Sequence, residues 1–154
     1  MDYLILSNIV TGTATLIASL SSVTLKDYLD NKKAKRKEVR QKAIEAYSLV
    51  SRLTDSLVPI RVKCLGFLNG GQFNNYECDY NTLDILHQIE LIVIGWTNKV
   101  EAEYELVSTE TLRVYKNFLN ILSKKEKITM DDLCLDQLST NAKELKVKLK
   151  KFYL

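Results

Sequence analysis

The groups in this chain best equipped for chemistry are cations. Arg61 with Lys63 and Arg113 with Lys116 form two close pairs, and Lys143, Lys146, Lys148, Lys150 and Lys151 recur near Phe152 and Tyr153. Guanidinium and ammonium groups donate charge-assisted hydrogen bonds to phosphate oxygens, and an aromatic ring beside them offers a face on which a base can stack. The chemistry open to such residues is the holding of an anionic ligand. Arg61, Lys63, Arg113 and Lys116 are the candidate ligand-binding residues; the lysines of the last stretch also fit an ordinary solvated helix face.

Nothing comparable points to catalysis. Cys64, Cys78 and Cys134 are too few and too scattered for a disulfide framework or a zinc site and read as reduced thiols. The one histidine, His87, lies on an apolar stretch with no second His or Cys at metal spacing, as a structural imidazole would. Asp131 with Asp132 and Glu101 with Glu105 fall at helix ends, where capping and solubility account for them better than acid–base work. Asn69-Gly70-Gly71 lacks the Lys and the Ser or Thr of a phosphate-cradling loop. The expectation is a non-enzyme, with no catalytic residue, no metal and no cofactor.

The elements that must position the cations are helical. One Pro, five Gly and no strand-turn-strand pattern argue against a sheet. Val39, Ala43, Ala46, Val50, Leu53, Leu57 and Ile60 alternate in steps of four and three, a coiled-coil-like seam that continues a pattern begun at Leu25. Beyond Pro59 the spacing predicts a short helix and then a loop to Asn81. A central helix begins at Thr82, with Leu86, Ile89, Val93, Trp96 and Val100 in one seam and Glu101, Glu103 and Glu105 at its acidic far end. A third helix is predicted to start near Ser108 or Thr109 and to present Leu112, Tyr115, Leu119 and Leu122, widened by Val114, Phe118 and Ile121. The last follows a cap at Thr129-Met130-Asp131-Asp132 and carries Leu138, Ala142, Leu145, Leu149 and Phe152.

At the start of the chain, residues 3–25 form a run of twenty-three residues without a charge. As a helix it would be roughly 34 Å long, against a hydrocarbon core of about 30 Å. Met1-Asp2-Tyr3 lacks the positive start of a secretory signal, so a retained anchor is expected. Residues 26–42 hold eight basic and three acidic residues, a net of +5, whereas residues 1–25 and 43–154 each sum to −1. Basic flanks stay on the cytoplasmic side, which puts the N-terminus outside and the rest in the cytoplasm. A pI near 8.7 therefore reflects a membrane-proximal collar and not a surface for duplex nucleic acid. On a helical wheel Ser7, Thr11, Thr15, Ser19 and Ser22 share one face with Asn8 and Gly12. Small and hydroxylated residues let helices approach and bond across the contact, so homo-oligomerisation through this face is expected.

The sequence thus predicts an all-α chain: a single transmembrane helix (1–25), a basic juxtamembrane stalk (26–42) and a cytosolic helical domain (43–154), in the inner membrane. This layout, with Arg61, Lys63, Arg113 and Lys116 in the cytosolic part, resembles small prokaryotic defence effectors, in particular CRISPR ancillary membrane proteins activated by cyclic oligoadenylates. The resemblance covers the whole chain and rests on architecture, not on a residue motif. It implies a cyclic oligonucleotide as ligand and membrane disruption as output. A membrane-tethered adaptor for a protein partner and a phage-type lysis or exclusion protein fit the same layout.

Overall fold

The computed structural model describes the backbone of residues 2–70, 81–123, 129 and 131–154, and the side chains of residues 23–70, 81–121, 129 and 131–154. Among the described residues the chain is all-helical: α1 (Asp2–Leu68), α2 (Asn81–Trp96), α3 (Glu101–Ser123) and α4 (Asp136–Tyr153), with 3₁₀ turns at Asn98–Val100 and Asp131–Leu133. It divides into two units, Met1–Glu38 and Val39–Leu154. In the first, every described side chain is exposed. Among the described residues no helix is long and apolar enough to cross a membrane. The side chains of the uncharged run up to Ser22, including Ser7, Thr11, Thr15, Ser19 and Ser22, lie outside the described residues.

The second unit is built on one stripe. Ala43, Ala46, Leu49, Val50, Leu53, Leu57, Ile60 and Cys64 of α1 are all buried; this is the predicted seam with Leu49 added, extended by one turn to Cys64 and without Val39, which is half-buried. They join a single core with Ile85, Ile89 and Val93 of α2, Val107, Val114, Phe118 and Ile121 of α3, and Leu138, Leu145 and Leu149 of α4. Between α1 and α2 the hydroxyls of Ser56 and Thr82 lie 3.0 Å apart, so a polar pair is satisfied where the two helices meet.

Three boundaries depart from the sequence reading. α1 does not end at Pro59 but continues to Leu68 with the proline inside it. An interior proline costs about 3 kcal/mol and removes the donor for the Asp55 carbonyl. Burial of Ile60 and Cys64 on the far side offsets that, at about 1.5–3 kcal/mol for a fully buried aliphatic side chain. The helix stops where Gly70 adopts φ 86°, the left-handed conformation that glycine reaches without strain. Residues 71–80, most of the expected loop and Cys78 with it, lie outside the described residues.

α2 ends earlier and α3 begins earlier than predicted. Thr97 is buried and donates its N–H to the carbonyls of Ile92 (3.2 Å) and Val93 (3.1 Å), which closes α2 without Gly or Pro. Glu101 and Glu103 are then the first turn of α3, where their charge suits the positive end of the helix, and not the tail of α2. α3 is also rotated. Of the predicted face, Val114, Tyr115, Phe118 and Ile121 are buried and are joined by Tyr104, Val107 and Thr111, whereas Leu112 and Leu119 are 49% and 41% exposed and the side chain of Leu122 lies outside the described residues. The predicted cap at Thr129 does form, with its N–H and hydroxyl both 2.8 Å from Asp132, but it closes the 3₁₀ turn and α4 starts at Asp136.

Leu53→Ala, at a fully buried position, is expected to cost about 2–5 kcal/mol in urea unfolding. Val58→Ala, on the exposed side of α1, should stay within about 0.5 kcal/mol. Cys64 is buried, which pushes its thiol up to about 12. Folded protein should therefore leave it unalkylated by iodoacetamide at neutral pH. Because the folded value is raised, the associated stability is present below the ordinary thiol range and is lost as pH climbs toward about 12.

Candidate functional site

The predicted cations are distributed, not gathered. Lys63 and Lys116 are exposed on α1 and α3. Arg113 turns inward to its own chain: Nε donates to Glu110 Oε2 (2.8 Å), Nη1 to the carbonyl of Asp132 (3.2 Å) and Nη2 to that of Cys134 (3.3 Å). Asn117 Nδ2 donates to the same Asp132 carbonyl at 2.9 Å. Together these two side chains hold the Asp131–Leu133 turn against α3 and seat the buried Leu133. The fixed fork of a guanidinium suits two carbonyls at once in a way an ammonium cannot. Backbone and side-chain hydrogen bonds from Thr129 hold the Asp132 carboxyl below its usual range.

Arg61 lines an open cleft of about 350 Å³ between α1 and the start of α4. Thr54, Asp55 and Val58 form one wall, Leu135, Asp136, Leu138 and Ser139 the other. The Arg61 Nε is shielded from solvent and has no hydrogen-bond partner. With two carboxylates against one guanidinium, the cleft is suited to a ligand of mixed charge and repels a polyanion.

Cations do converge elsewhere. At the end of α4 the Phe152 ring is 42% exposed, and the ammonium nitrogens of Lys99, Lys148 and Lys151 lie 5.8, 5.9 and 5.7 Å from its centroid. Each such contact is worth about 0.5–1 kcal/mol at an exposed site. Lys99 arrives from the Asn98–Val100 turn, where its N–H donates to the Tyr153 hydroxyl at 3.3 Å. Lys148 is paired with Glu103 at 3.1 Å. A further cation, Lys146, stands 5.4 Å from the Tyr47 ring centroid. Sequence reading singled out Lys148, Lys151 and Phe152 as part of a basic stretch, but Lys99 carries no local signal and is recruited by the fold.

His87 has a partner, as a structural imidazole would, but it lies on the exposed face of α2. Its side chain is 66% exposed, with Nδ1 3.3 Å from Glu90 Oε2. Cys64 and Cys134 are free thiols. Among the described residues no group of acids, histidines and cysteines has the arrangement of a metal site. No family profile, curated protein or solved structure matches the chain.

Arg113→Ala leaves the Cys134 carbonyl without its donor and the Asp132 carbonyl with Asn117 alone, and is expected to destabilise the fold by about 1–3 kcal/mol. Arg113→Lys should recover little of the loss. Urea unfolding of the two variants checks this, and recovery with Lys would show that charge, not the fork, holds the turn.

Proposed function

We propose that the chain is a homo-oligomeric, single-pass membrane effector. Its cytosolic helical domain binds an anionic ligand of the cyclic-oligonucleotide class, and its N-terminal helices then rearrange to disrupt the inner membrane. The observation that carries this reading is that α1 is assigned as one helix, Asp2–Leu68, containing both the uncharged run 3–25 and the buried seam Ala43–Cys64. Lipid and ligand would then act on the same element. The basic collar supports the orientation, with the N-terminus outside. A role in antiviral defence rests on likeness of layout alone. A ligand drives such a rearrangement only by binding the active assembly more tightly than the resting one.

The mixed-charge cleft at Arg61 favours a second reading, a membrane-tethered adaptor that docks a protein partner and carries no ligand switch. Liposome reconstitution separates the two. The effector is expected to float with vesicles and to release trapped dye only when cyclic oligoadenylate is added. Thr15→Leu with Ser19→Leu should abolish release and preserve flotation. Flotation without dye release rejects the effector in favour of the tether; ligand-dependent release indifferent to the double substitution rejects the Ser/Thr face as its route; release with no ligand at all points to a lysis protein.

A further inference from the structure

We infer that the Lys99–Lys148–Lys151 cluster around Phe152 is a binding site for phosphoester anions that carry a planar ring, the nucleotide class. The inference rests on the proposed anion-binding role but assigns it a place away from Arg61, Lys63, Arg113 and Lys116.

Three features carry it. First, the cluster is assembled from two parts of the chain. Lys99 comes from the 3₁₀ turn between α2 and α3, and its own N–H is fixed by Tyr153, whereas Lys148 and Lys151 come from α4. A solvated Lys-rich helix face would need no such recruitment. Second, like charges have been brought together. All three nitrogens lie within 6 Å of one ring centroid, so no two can be farther apart than twice that distance. That bound, about 12 Å, exceeds the screening length of about 8 Å at physiological salt, so the ammonium groups can share one ring without strong mutual repulsion and remain within reach of one multivalent anion. Glu103 neutralises Lys148 alone, at 3.1 Å. A phosphate accepts hydrogen bonds from more than one ammonium.

Third, the ring at the centre is half open to solvent and has its edge set by Tyr153, with the two centroids 6.4 Å apart and the planes at 70°. Lysines that reach the ring only at this distance are held loosely and can swing aside to take phosphate oxygens. A flat ring can then lie on Phe152, giving the charge-plus-stacking arrangement of single-strand binders. The phosphate chemistry is shared by free nucleotides and by lipid headgroups, and the two sources are told apart by experiment.

Full-length protein in phosphatidylcholine nanodiscs is titrated with ADP, with inorganic tripolyphosphate and with adenosine. Wild type should bind both anions and not adenosine. Lys99→Gln with Lys151→Gln should weaken both anions about tenfold or more, and Lys99→Arg with Lys151→Arg should keep them. Phe152→Leu should weaken ADP about fivefold or more and leave tripolyphosphate unchanged. Unchanged circular dichroism and urea midpoints guard against misfolding. Repeating the ADP titration in phosphatidylglycerol nanodiscs identifies the source: competition assigns the site to headgroups, and no competition to a soluble nucleotide.

Failure of wild type to bind either anion, or equal binding by the K99Q/K151Q protein, overturns the site. Its fate is separable from that of the effector. Anion binding without dye release rejects the effector and leaves the site. Ligand-dependent release that survives K99Q/K151Q rejects the site and leaves the effector.

Discussion

Burial of the α1 stripe from Ala43 to Cys64 is the constraint on which the second unit depends. Eight positions on one side of the helix are removed from water, and each of α2, α3 and α4 contributes its own apolar face to the same core. No single helix of that group could hide its stripe alone, since a helix covers only its own axis side and short helices gain little from propensity. The two alanines at the start of the stripe add little apolar area, while the branched residues after them supply most of the burial. Pro59 is tolerated because it lies on the solvent side of this stripe. What it removes is one backbone hydrogen bond, and what the continuation gains is the burial of Ile60 and Cys64.

The parts of the fold that could be read from the sequence are those where only one seam exists. α1 between Val39 and Ile60 and α4 between Leu138 and Leu149 each offer a single apolar repeat on an otherwise polar helix, and the core takes it. α3 offers two. Leu112, Tyr115, Leu119 and Leu122 share a repeat of three and four with Val107, Thr111, Val114, Phe118 and Ile121, and spacing alone does not choose between them. The choice is made by partners far away in sequence: Arg113 and Asn117 must point at the carbonyl of Asp132, which turns Leu112 and Leu119 to solvent. The α2–α3 boundary was hidden for a related reason. It is made by the buried Thr97 satisfying the end of α2, not by Gly or Pro, so the glutamates that follow look like one helix's tail when they are the next helix's start.

The candidate site was legible in type but not in place. Lysines and aromatics near the C-terminal end were the sequence signal for the proposed anion chemistry, and local spacing sufficed to group Lys148, Lys151 and Phe152. Lys99 could not be found that way, because its proximity to Phe152 exists only after α3 has carried the chain away and α4 has brought it back. Arg113 illustrates the opposite effect. An arginine is as well shaped for backbone carbonyls as for phosphate, and its neighbours, known only from the fold, engage all three of its nitrogens within the chain. Arg61 shares its cleft with Asp55 and with Asp136, and the second of these comes from α4, which only the fold brings alongside α1.

Exposed charges of this kind are individually weak, and that bears on how they could work. Three ammonium groups at the surface, one already paired with Glu103, would hold a small anion with an affinity that falls as salt rises. For the proposed membrane-tethered assembly the remedy would be repetition. In a symmetric assembly each subunit brings the same cluster, and a ligand with several phosphates can engage two or more copies, the second contact being intramolecular once the first is made. In the proposed effector, affinity would then depend on the spacing between copies, and the ligand would select that spacing without any one subunit changing its fold.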